Sequence, residues 1–122
     1  MNESLLTTSC IFDWDQTPSQ VVPHGATRRF FNAKTGTLAR MSMHATTLNP
    51  GQKAHEPHSH PEEEMIVLKE GTLEALHNGQ RLSMSAGSIL FLAPNDLHGV
   101  TNNGSVPATY YVIKWFCNNE GT

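Results

Sequence analysis

Turn residues punctuate this chain at short intervals, and that spacing leaves room for little except short β-strands. Asn49-Pro50-Gly51, Glu70-Gly71, Asn78-Gly79, Ala86-Gly87, Pro94-Asn95-Asp96 and Asn103-Gly104 all carry turn chemistry. Between them lie Met65–Leu68, Thr72–His77, Arg81–Met84, Ser88–Ala93 and Thr109–Phe116, each short and β-compatible. Asn78-Gly79 is a strong two-residue hairpin signal. Upstream, Ala39, Met41 and Met43 alternate with polar residues, the pattern of a half-buried strand. No segment sustains a 3.6-residue period with caps. The expectation is an all-β sandwich or barrel.

The chain has 122 residues, which suits one domain with one core. Residues 1–36 read as an extension with short edge strands, 37–117 as the barrel and 118–122 as a tail. The net charge of -3 argues against nucleic acid, which demands a basic surface. No apolar run approaches membrane-spanning length, and Met1–Asp15 lacks a signal-peptide pattern. A cytoplasmic location is the expectation. Cys10 and Cys117 fit two reduced, partly buried thiols better than a redox motif, although a disulfide between them suits an oxidising setting.

Chemistry concentrates at His58-Ser59-His60-Pro61-Glu62-Glu63-Glu64. On a strand, His58 and His60 would share one face. A turn after Pro61 would return Glu64 beside them. Imidazole and carboxylate donors suit Mn, Fe, Co, Ni, Cu or Zn. The bland reading of the histidine pair is a solvated polar loop.

Two motifs then resemble the cupin superfamily. Gly51…His58-x-His60-x-x-x-Glu64…Gly71 is similar to the first cupin motif, and Gly87…Pro94…His98-x-x-x-Asn102 to the second. Gly51 and Pro94 each stand one residue off the family spacing, and Asp96 stands near an expected glycine. The resemblance implies a double-stranded β-helix, or jelly-roll barrel, with a divalent metal held by His58, His60, Glu64 and His98. It also favours Glu64 over Glu62 and Glu63, which read as exposed charges. Four ligands would close a tetrahedral zinc site, whereas an octahedral ion keeps two positions open. Mn, Fe or Ni is therefore preferred, with Zn, Co or Cu as alternatives.

His55, His44, Arg40 and Tyr111 are the candidates for contacting a small-molecule substrate. For His55 the competing reading is an exposed loop residue, and for His44 a solvated strand face shared with Arg40. Ile66 and Leu68 share parity with Glu64 and should point inward. Both faces of Thr109–Phe116 are apolar, and the resemblance also implies dimers, so a homodimer is expected. Phe30 and Phe31 are candidates for that interface. The favoured function is a metal-dependent enzyme, dioxygenase- or isomerase-like, acting on a small polar or aromatic molecule. The alternative is a non-catalytic binding or sensing cupin. A storage role fits poorly with a complete ligand set.

Overall fold

The computed structural model describes residues 4–117. The tail expected at 118–122 lies outside the described residues. Ten strands and no helix occur among the described residues, so none of those residues forms a helix long and apolar enough to cross a membrane. The strands are β1 (Leu5–Leu6), β2 (Ser19–Val22), β3 (Gly25–Thr35), β4 (Leu38–Leu48), β5 (Glu63–Glu70), β6 (Thr72–His77), β7 (Gln80–Ser85), β8 (Ile89–Leu92), β9 (His98–Thr101) and β10 (Ala108–Cys117).

One large sheet runs β1-β3-β4-β10-β5-β8, with β2 also paired to β3. A small sheet runs β7-β6-β9. The chain passes from the large sheet to the small one at Gly71, where φ is +84°. A Cβ there would lie 2.8 Å from both the Ala108 Cα and the Pro107 carbonyl oxygen, so only glycine fits. Asn78 and Gly79 both adopt positive φ, 47° and 86°, and close the β6–β7 hairpin as expected. Leu48, Ile66, Leu68, Leu73, Ala75, Met84, Leu92, Val100, Ala108, Tyr110 and Val112 fill the space between the sheets.

Three expectations change. The segment read as an extension of short edge strands supplies β3, an 11-residue strand paired along most of β4. The two faces of β4 are also exchanged. His44, Thr46 and Leu48 face the interior, while Met43 pairs with Phe31 on the opposite side. The polar face points inward because it lines a cavity. Finally, Cys10 and Cys117 are both exposed and free.

The outer face of β10 is covered partly from within the chain. A bulge between Arg29 and Phe31 lets β3 turn consecutive phenylalanines the same way. Phe30 packs 6.2 Å from Tyr111 and Phe31 packs 5.1 Å from Phe12, between ring centroids. Trp14 meets Tyr111 edge-on at 5.8 Å. The Arg28 guanidinium and the Lys69 ammonium lie 4.6 and 4.4 Å from the Trp14 ring, so two cations fix this aromatic against the sheet.

Candidate metal centre

His58 and His60 do not lie on a regular strand. They sit in the loop before β5, and the backbone fixes that loop to the far motif. His58 N–H donates to the His98 carbonyl at 2.9 Å, and His98 N–H donates back to the His58 carbonyl at 2.8 Å. The Asn95 N–H donates to the His60 carbonyl at 2.7 Å, which anchors the turn leading into β9. Two motifs nearly forty positions apart are thereby joined by backbone hydrogen bonds, independently of their side chains.

The ligand atoms of His58, His60 and His98 all lie within 4.8 Å of one another, so this trio could hold a metal ion. Their rings are mutually near-perpendicular, with centroids 4.9–5.2 Å apart. Glu64, in the second position of β5, is 5% exposed. Its Oε1 lies 2.7 Å from His60 Nε2 and 3.4 Å from His98 Nε2. Donors bound side by side to one ion at about 2.1 Å would be separated by about 3 Å, so these spacings suit a shared ion.

His98 provides the sharpest test of fit. It is 3% exposed. Its Nδ1–H donates to the Asp96 carbonyl at 2.9 Å, so in the neutral ring Nε2 is the nitrogen that carries the electron pair. That Nε2 is buried and has no hydrogen-bond partner, its approach to Glu64 lacking hydrogen-bond geometry. A buried nitrogen without a partner is costly, and a metal ion aimed at by two further imidazoles would satisfy it. The donor set fits a divalent transition ion.

Burial pushes the Glu64 carboxyl up, but His98 and His60 outweigh that and hold it below the usual carboxylate range. Burial pushes His98 down, yet the Glu64 carboxylate and the Asp96 carbonyl raise it above its ordinary value. His58 is lowered to about 4, first by desolvation and then by neighbouring His55, His98 and His60. It is therefore neutral near pH 7, as a ligand must be.

A cavity of about 190 Å³ opens beside the cluster. Its wall includes His44, Thr46, Ile66, Tyr110, Val112 and Lys114. His44 is lowered to about 4 by burial and by the charges of Lys114 and Arg29. Burial raises the Tyr110 phenol to about 12. His55 lies at the rim, stacked on His58 with ring centroids 4.0 Å apart and exposed to solvent.

Of the residues expected to contact substrate, His44 and His55 line this cavity, whereas Arg40 and Tyr111 do not. Arg40 is exposed and donates to Asn32 Oδ1 at 3.0 Å. Tyr111 faces outward against Trp14 and Phe30. The neighbouring carboxylates are more engaged than exposed charges would be. Glu63 accepts from Trp115 Nε1 at 2.9 Å, and Glu62 lies 3.3 Å from His60 Nδ1. Tyr110 and Lys114 line the cavity without having been expected there. The available signal was Lys114 itself, a lone cation in an otherwise apolar strand with the parity of Tyr110 and Val112.

The model of the cupin domain family matches residues 44–114, more than half of the chain. The chain is a cupin. Solved structures agree at the level of fold. KdgF from a Halomonas species is 14% identical, with a TM-score of 0.77 over 94% of this chain and 100% of that one. An RmlC-like cupin from Shewanella frigidimarina is 14% identical, with a TM-score of 0.73 over 94% and 97%. A predicted oxalate decarboxylase from Thermotoga maritima is 14% identical, with a TM-score of 0.71 over 88% and 99%. No curated protein matches this sequence. Asn102 of the cupin's second motif is wholly structural in its contacts. It is fully buried, donates to the Leu48 and Val106 carbonyls, and accepts from the Gly104 N–H.

Proposed function

We propose that this cupin is a metal-dependent enzyme acting on a small polar molecule, with the ion held by His58, His60, Glu64 and His98. The observation that carries the reading is His98 Nε2, buried, unpartnered and converging with two other imidazoles. Manganese, iron or nickel suits the set best, because an octahedral ion keeps positions open beyond four protein ligands. When bound, the metal supplies Lewis-acid polarisation of a ligand oxygen or, for iron, access to dioxygen chemistry.

The chain's own residues then have separate tasks. The Asp96 carbonyl holds the His98 tautomer, so Nε2 stays directed at the centre. Glu64 lowers the net charge of the site. Ile66 and Val112 line the cavity with apolar surface and limit water. His44 is neutral near pH 7 and can accept a proton or hydrogen bond, while the Tyr110 phenol keeps its proton. Isomerisation, decarboxylation and oxygenation are the reaction classes this arrangement favours.

The deciding experiment is elemental analysis of freshly expressed wild-type protein and of His98→Ala. About one ion per chain in the wild type, falling at least tenfold in the variant, supports the ligand set. Equal metal content in both overturns it. Oxygen uptake by protein loaded anaerobically with Fe(II) then separates an oxygenase from a module that only binds its ligand.

A further inference from the structure

Lys114 is a half-buried cation on the interior face of an otherwise apolar strand. It makes no ion pair within 4.0 Å and no side-chain hydrogen bond among the described residues. The ordinary explanation would be a partnership with Glu64, which lies directly across the β5–β10 pair. However, the Glu64 carboxylate is turned toward His60 and His98 instead, at 2.7 and 3.4 Å. The cation is left facing the cavity.

The surroundings strengthen its claim on an anion. Lys114 and His44 line both the cavity beside the histidine cluster and an adjoining pocket that Arg29 and Asn32 also line. Arg29 pairs with His44 across β3 and β4. One cation, Lys114, and one carboxylate, Glu64, line the cavity beside the cluster, so a divalent ion would leave it with an excess of positive charge. Desolvated charge without a counter-ion is unfavourable, and an anionic ligand would relieve it.

Resting on the metal-site reading above, we propose that the cavity takes a small carboxylate with an adjacent oxygen donor, such as a 2-hydroxy or 2-oxo acid, whose anionic group is held by Lys114. The cavity, about 190 Å³, is smaller than a drug-sized site and suits a small ligand. A single half-buried ammonium matches one negative charge rather than a phosphate dianion, which demands more donors. Lys114 lies across the β5–β10 pair from Glu64, whose carboxylate is 2.7 Å from His60, so the cation and the imidazole cluster border the same cavity.

The test uses Co(II)-loaded protein, with lactate and propane-1,2-diol as probes that differ in the carboxylate. Cobalt content is measured first, and the visible spectrum of the ion then reports ligand arrival. Lactate should bind the wild type at least tenfold more tightly than the diol. Lys114→Met should lose that preference without losing cobalt, and Lys114→Arg should restore much of it. Equal lactate affinity in wild type and Lys114→Met, no lactate binding to the loaded wild type, or tighter binding of inorganic phosphate than of lactate would each overturn the proposal. If the wild type takes up no cobalt, the metal reading fails separately. Calorimetric titration of apo wild type and Lys114→Met with lactate then decides the role of Lys114, and a signal that does not depend on Lys114 overturns it.

Discussion

His44 shows how one residue can be misplaced by pattern and still line the cavity. Its burial and the facing charges of Lys114 and Arg29 keep it neutral, with Glu64 opposing and His55 adding to the effect. The unfolded chain protonates such a histidine near 6.5, whereas the folded one does so near 4. The unfolded state therefore binds more protons between these values, and stability must fall as pH drops from about 6.5 to about 4. Below about 4 this residue adds no further loss. Glu64 acts in the same direction, its contribution being lost as pH falls through its depressed value. His98 acts oppositely, with a contribution present below 6.5 and lost as pH rises through its elevated value. Comparing urea denaturation of metal-free wild type and His44→Gln at pH 7 and pH 4.5 isolates the His44 share. The wild type should lose on the order of 2 kcal/mol more than the variant across that interval, discounted for its partial exposure.

At the scale of strands and turns, what was legible followed from local rules. The Asn78-Gly79 hairpin, the inward parity of Ile66 and Leu68 with Glu64, and the breaks flanking β5, β8 and β10 all appear as expected. What failed on β4 had one physical cause. Alternation predicts burial only where the interior is apolar, and near the cluster the barrel interior is polar. β4 thus presents His44 inward, with Thr46, and its methionines outward, the reverse of the usual inference. β10 misled similarly, since both its faces are apolar and parity alone does not rank Tyr110 over Tyr111. The convergence of His58, His60 and His98 followed from motif spacing, which encodes a loop pinned to β9 and needs no alternation. Asn102 gives this level a test. Its side chain satisfies two carbonyls and one N–H in the turn after β9, and its own backbone N–H donates to Gln52. Asn102→Ala would strip partners from buried backbone groups at about 1–3 kcal/mol each. Equilibrium denaturation should show a loss of about 2–4 kcal/mol, with metal stoichiometry retained in the fraction that folds.

For the whole molecule, the outer surfaces and the proposed ion contribute in different ways. Trp14 and Phe30 already cover Tyr111, so the apolar outer face of β10 is a weaker argument for a partner than its sequence suggested. The edge strand β8 still exposes Ile89 at 61% and Phe91 at 54%. A homodimer therefore remains our expectation, and sedimentation equilibrium should return twice the chain mass of 13.5 kDa. Phe91→Glu should shift that equilibrium toward monomer. The proposed ion would act on a different axis. Its proposed ligands come from the loop before β5, from β5 in the large sheet and from β9 in the small sheet. A bound metal would thus tie both sheets together, and the unfolded chain would not reproduce that arrangement. Linkage then requires stabilisation of about 4 kcal/mol when free metal exceeds its dissociation constant a thousandfold. For a domain of this size that corresponds to a rise in Tm on the order of 10–20 °C. Calorimetric scans with and without a chelator measure the rise directly. His58→Ala and His98→Ala should each abolish most of it, while Lys114→Met should leave it intact, because Lys114 is assigned to the ligand and not to the ion.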